Sequence, residues 1–187
     1  PVAVCQNIIV LLDENGQATI SANYLDGGST DNEGVVSFEI DIDTFSCDNI
    51  GENTVILTIA DAAGNTATCD AVVSVIDTIT PIILCPEDQV ADWDPSGTYT
   101  LPDYVLSNEV TATDNCSENL IITQNPSAGT VLGVGITIVS FETTDDSGNT
   151  ITCSFELDVI IDLGFNDNTL NRGLAIYPNP SASFITI

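Results

Sequence analysis

Apolar residues along this chain alternate with polar ones; they do not recur at every third or fourth position. The stretches "TVILTIA" (54–60) and "ITIVSFETT" (136–144) are rich in β-branched residues and keep a period of two, which predicts half-buried strands. "ATCDAVVSV" (67–75) and "ITCSFELDV" (151–159) follow with the same alternation. Between each pair lies a short polar segment, "AAGN" or "DSGN", whose Gly and Asn are residues that tight turns demand. Turn signals recur every 8–12 residues, and helix formers cluster nowhere. This pattern predicts an all-β protein built of antiparallel sandwiches.

The pattern also repeats. "PVAVC" (1–5) matches "PIILC" (81–85), and "STDNEG" (29–34) matches "ATDNCS" (112–117). The stretch 61–76 matches 145–160, with Asp61 over Asp145, Gly64 over Gly148, Asn65 over Asn149 and Cys69 over Cys153. The offset grows from 80 to 84, so the second copy carries a four-residue insertion. Residues 1–77 and 78–162 therefore form two tandem modules. "IDTITP" (76–81) is the stiff junction between them. Residues 163–173 form a linker, and 174–187, "LAIYPNPSASFITI", hold one short strand that cannot bury a face by itself.

Charge narrows the functions available. The chain has 28 acidic residues, a formal net charge of −27, no His, and Arg172 as its one basic residue. Electrostatics excludes nucleic acid as a partner, and no apolar run approaches the length of a membrane span. Without His, neither a Ser-His or Cys-His nucleophile pair nor a His metal site can form. Carboxylate pairs suited to glycoside hydrolysis would need a cleft, and these acids sit in turns. The reading is non-enzymatic. The chain starts at Pro1 without Met, so a fragment or processed form is expected.

These residues carry a family resemblance. The "CP" of 85–86, "TATDNC" (111–116), "TTDDSGNTITCSFELDV" (143–159) and a closing Asp resemble a hyalin-repeat (HYR) module over 81–162. The first copy resembles a sister bacterial Ig-like repeat of large secreted Bacteroidota proteins. The resemblance implies two tandem Ig-like antiparallel β-sandwiches used as a stalk or in adhesion, at the cell surface or secreted. The tail, with Tyr177, Pro178, Asn179 and Pro180, is similar to the opening of a type A C-terminal sorting domain of the type IX secretion system. That implies the secretion machinery as a partner and either outer-membrane anchoring or release. The family's domain continues for several more strands than these residues hold, so a truncated sorting domain is expected.

Six cysteines fall three to a copy, with no C-x-x-C spacing. A secreted setting favours disulfides. Cys5 and Cys69 lie the same distance from one end of adjacent first and last strands, as do Cys85 and Cys153. The expected bonds are therefore Cys5–Cys69 and Cys85–Cys153, each worth about 4 kcal/mol in the chain-entropy view. Cys47 and Cys116 are left over. They are expected to be unpaired and buried, or to bond between copies or between chains.

Carboxylates gather where each module begins. Asp77 from the junction, Asp114 and Asn115 from one loop, and Asp145 and Asp146 from the hairpin turn converge in the second copy. Only oxygen ligands are present and like charges are close, so Ca²⁺ is the expected cofactor. Asp31, Asn32 and Asp61 form the corresponding set in the first copy, with Asp26 as an auxiliary. The competing reading is that turns select Asp and Asn for local hydrogen bonds. Thr78, in "DTI", fits a Bacteroidota O-glycosylation sequon. Trp93 and Tyr99 are expected to pack at the core or a sheet edge. The expected function is a rigid extracellular stalk of an adhesin or filament, with neighbouring repeats or identical chains as partners. The alternatives are a polymerising filament subunit, or an accessory module binding polysaccharide for a secreted hydrolase.

Overall fold

The computed structural model describes residues 1–93 and 97–161. The linker 163–173, the segment 174–187 with its Tyr177-Pro178-Asn179-Pro180 motif, and Asp162 lie outside the described residues. Among the described residues the chain is all-β, with two short 3₁₀ turns at Ala22–Tyr24 and Cys47–Asn49. The strands, in order, are β1 (Ile8–Leu11), β2 (Gln17–Thr19), β3 (Val35–Ile40), β4 (Thr44–Ser46), β5 (Gly51–Asp61) and β6 (Thr66–Ile76). These are followed by β7 (Ile82–Leu84), β8 (Gln89–Asp92), β9 (Tyr99–Thr100), β10 (Thr111–Thr113), β11 (Ile122–Asn125), β12 (Val131–Leu132), β13 (Gly135–Thr144) and β14 (Thr150–Ile160).

The two halves share one topology. The main sheet is β1-β6-β5-β3 in the first module and β11-β13-β14-β8 in the second. Small two-stranded pairs, β2-β4 in the first and β7-β10 and β9-β12 in the second, close the opposite face. In each module one long hairpin, β5-β6 or β13-β14, supplies the centre of the main sheet. Its inward positions are the buried ones: Val55, Leu57, Ile59, Ala71, Val73 and Val75 in the first module. Val139, Phe141, Phe155, Leu157 and Val159 fill the same role in the second. The side chains between them point out, as period-two alternation requires. The modules bury separate cores. One spans Leu12 to Val75, the other Leu101 to Val159. In the second core Tyr104 meets Phe155 edge-on at 5.1 Å, and its hydroxyl donates to Gln89 at 3.2 Å.

The sheets are not wholly antiparallel. β1 runs parallel to β6, and β8 parallel to β14. In each module the incoming chain pairs first away from the main sheet, through the isolated Val2↔Thr30 and Cys5↔Asp26 bridges in the first and through β7-β10 in the second, and then crosses to the main sheet. Parallel pairing sets the incoming segment and the last strand level at one end. Extending the β8-β14 register (Val90↔Asp158) back along the chain brings residue 85 level with 153. Cys5 is bonded to Cys69 and Cys85 to Cys153, with Cα separations of 5.8 and 6.2 Å. Each bond ties the two layers of its sandwich together.

Candidate functional site: the inter-module junction

Cys47 and Cys116 are neither unpaired nor intermolecular. They are bonded to each other, from the first module to the second, with Cα atoms 5.3 Å apart. All six cysteines are thus consumed within the chain. Cys47 opens the 3₁₀ turn after β4, and Cys116 lies in the loop after β10. Cys116 also packs against the core of the first module.

Gly16 sits beneath this bond. The turn between β1 and β2 needs a positive φ there (67°), and Gly16 is buried. A Cβ at this position would collide with Cys47 Sγ and come within 3.1 Å of the Asn115 carbonyl oxygen. Only glycine satisfies both the turn and the close approach of the second module.

Two asparagines complete the joint. Asn115 Nδ2 lies 3.3 Å from the Asp13 carbonyl of the first module and 3.2 Å from Asp77 Oδ1 of the inter-module linker, the 76–81 junction. Asn149 Nδ2 donates to the Asp77 carbonyl at 3.3 Å. Asp77 Oδ1 also accepts the Ile79 N–H at 3.1 Å, which fixes the linker's turn.

Around this linker, Asp77, Asp114 and Asp145 each present one carboxylate oxygen, all within 4.8 Å of one another. Asp77 is 3% exposed and Asp145 6%. Asp145 closes the β13-β14 hairpin, accepting from the Asn149 N–H at 2.7 Å and its Nδ2 at 2.8 Å. Asp114 Oδ2 accepts from the N–H groups of Cys116 and Ser117 at 3.0 and 2.9 Å.

The other expected ligands are placed differently. Asp146 is exposed and outside this cluster, its N–H donating to Ser117 Oγ at 3.0 Å. The strand phase explains this. Alternation along β13 turns position 145 inward, so 146 faces out.

In the first module Asp31 pairs with the Pro1 amine at 2.9 Å and accepts the Glu33 N–H at 2.8 Å. These bonds, the amine's first, hold its carboxyl below the ordinary range. Asp61 accepts from Asn65 Nδ2 at 2.6 Å and from the N–H groups of Asn65 and Ala63. Its pKa is lowered too, chiefly by the Asn65 side chain. Asp26 caps its own turn through Ser29 and Gly28. Asn32 is exposed. For Asp26 and Asp61 the local turn reading accounts for the carboxylate bonds. Among the described residues no group of three acids gathers in the first module.

Thr78 is exposed, but the Asp77 before it is buried. Trp93 and Tyr99 are half-buried and pack against the second core. The spacing of Asp13, Gly16, Ser117 and Asn149 contained no sign that these residues meet at a joint.

The fold and joint define a class: a disulfide-clasped tandem of β-sandwiches suited to an oxidising extracellular setting. Comparison with known proteins agrees. Residues 76–159 match the HYR domain family, so the second half carries an HYR Ig-like module. The chain is 28% identical over 203 aligned positions to hyalin of Lytechinus variegatus, covering 97% of this chain and 37% of that protein. Hyalin of Strongylocentrotus purpuratus is 31% identical over 165 positions, covering 84% of this chain and 13% of the relative. A Rattus norvegicus protein, "Sushi, von Willebrand factor type A, EGF and pentraxin domain-containing protein 1", is 31% identical over 112 positions, 58% of this chain and 3% of its own length. The chain thus spans well under half of each relative. Among solved structures, a protocadherin gammaB7 EC3-6 cis-dimer aligns at TM-score 0.36 and 15% identity, over 86% of this chain and 47% of that one.

Proposed function

We propose that the chain is a non-catalytic, load-bearing segment of an extracellular stalk, part of a cell-surface adhesin or filament. The covalent path through the molecule carries this reading. Tension applied at the ends passes from Cys5 to Cys69 and from Cys85 to Cys153, bypassing 64 and 68 residues of fold. The Cys47–Cys116 bond holds the second module against the first. Force therefore passes through each disulfide, and only the strand ends outside the clasps, 70–76 of β6 and 154–160 of β14, carry it through strand pairing. The hyalin relatives agree with an adhesion-type setting. The Tyr177-Pro178-Asn179-Pro180 tail supports export by a type IX system of Bacteroidota, with release or outer-membrane anchoring afterwards. The partners are then neighbouring repeats or identical chains.

The filament alternative loses its cysteine route, because Cys47 and Cys116 are spent on each other. The polysaccharide-binding alternative rested on Trp93, which packs against the second core. Negative-stain micrographs of the oxidised protein test the proposal. Separate rods of constant length that bend at mid-length only after reduction support it. Fibres would replace it with polymerisation. Glycan-array binding that vanishes in Trp93→Ala would replace it with the accessory-module reading.

A further inference from the structure

We infer that Asp77, Asp114 and Asp145, with the amide oxygen of Asn115, form a calcium site that locks the linker onto the second module. The acidic cluster is one observation. A second, independent one is that buried oxygens there have no donor. Asp77 Oδ2, Asp114 Oδ1 and Asn115 Oδ1 are all inaccessible to solvent and have no hydrogen-bond partner among the described residues. Asp77 itself is 97% buried, since only 3% is exposed. A buried carboxylate oxygen left without a donor is costly. Three carboxylates within 4.8 Å repel one another as well. The chain has no Lys or His, and its one Arg, Arg172, lies outside the described residues. A bound cation resolves both costs at once.

The remaining atoms are already pinned. Asp77 Oδ1 holds Ile79 and Asn115, Asp114 Oδ2 holds two N–H groups, and Asn149 clamps Asp145. The unpartnered oxygens are thus fixed in place beforehand, so binding needs little reorganisation. The donors are all hard oxygens. A span of up to 4.8 Å suits Ca²⁺, whose opposed ligands stand roughly 4.6–5.2 Å apart. Mg²⁺ demands near-ideal octahedral geometry at about 2.0–2.1 Å and keeps several waters, which oxygens already pinned by the fold serve less well. A surface groove lined by Glu14, Ile79, Thr113, Asp114 and Asn115 gives the ion a path in, and water can complete its shell. The ligands come from the linker and from two loops of the second module. The Asn115 amide nitrogen also reaches Asp13 of the first. An ion there removes freedom from the hinge.

The test uses the full oxidised chain, melted in EDTA, in 5 mM CaCl₂ and in 5 mM MgCl₂ at matched ionic strength, with calcium titration calorimetry alongside. Extracellular sites bind at roughly 0.1–1 mM, so 5 mM calcium should raise Tm by roughly 2–9 °C, and magnesium by much less. Asp77→Asn and Asp114→Asn remove one charge each. Both should melt no lower than wild type in EDTA, because repulsion is relieved, and both should lose the calcium-dependent rise and the calorimetric site. The inference is overturned by no calcium-dependent rise in wild type, by an equal rise with magnesium, or by a rise that survives in both variants. None of these results touches the stalk reading, which depends on the disulfides.

Discussion

Removing the inter-module disulfide by Cys47→Ser/Cys116→Ser should uncouple the two sandwiches. The bond spans 69 residues, running from the end of the first sandwich through the linker into the second. Closing a loop of that size restricts the unfolded chain by about 4 kcal/mol. Few other groups hold the joint. The three asparagine hydrogen bonds lie at 3.2 to 3.3 Å, the long end of the useful range, and contribute about 0.5–1.5 kcal/mol each. The disulfide therefore matches or exceeds the polar contacts together. Calorimetry in chelator should show a single coupled transition for the wild type. The variant should melt roughly 8–16 °C lower, at 2–4 °C per kcal/mol for a chain of this size, and resolve into two transitions. Small-angle scattering should show a broader range of end-to-end distances. Gly16→Ala, which drives a methyl group into Cys47 Sγ, should move both readouts the same way with the cysteines intact. An unchanged melting profile and scattering curve in the double variant would refute the reasoning.

Two further outcomes follow from the separate cores and the turn carboxylates. In the Cys47→Ser/Cys116→Ser background, Leu157→Ala should lower only the second module's transition, by about 2–5 kcal/mol, because fully buried Leu157 touches one core alone; calorimetry that shows both transitions falling together would contradict this. The depressed carboxyls of Asp13, Asp26 and Asp61 should make the first module acid-labile. Below the unfolded value of 3.8 the unfolded chain binds more protons, so this stability is intact above that pH and is lost as pH falls through the lower folded values. Asp61→Asn should flatten that acid limb in denaturant titrations run from pH 6 to pH 2.5.

Much of this was legible in the chain because strand periodicity is local. Val55, Leu57 and Ile59 announce their buried face by alternation alone, and the repeat aligned Cys69 with Cys153 and Cys5 with Cys85. The Cys47–Cys116 bond was legible only as one of several open alternatives for the two leftover cysteines. It joins non-equivalent positions of successive copies, so it depends on how the second module sits on the first. That placement is set by the Gly16 turn and the Asn115 and Asn149 side chains, none of which alters the hydrophobic pattern. The choice of Asp145 over Asp146 follows from the phase of β13. The parallel entries of β1 and β8 come from the crossing between layers, which residues 5–8 and 85–89 do not spell out.

The central claim is that covalent clasps take the load, and pulling single molecules by their ends measures it directly. Oxidised protein should give no unfolding step from the clasped segments at any force below bond rupture. After reduction, the 64 and 68 residues freed should appear as two releases of about 220 and 240 Å, at roughly 3.5 Å per residue. Releases of that length from the oxidised chain would contradict the account.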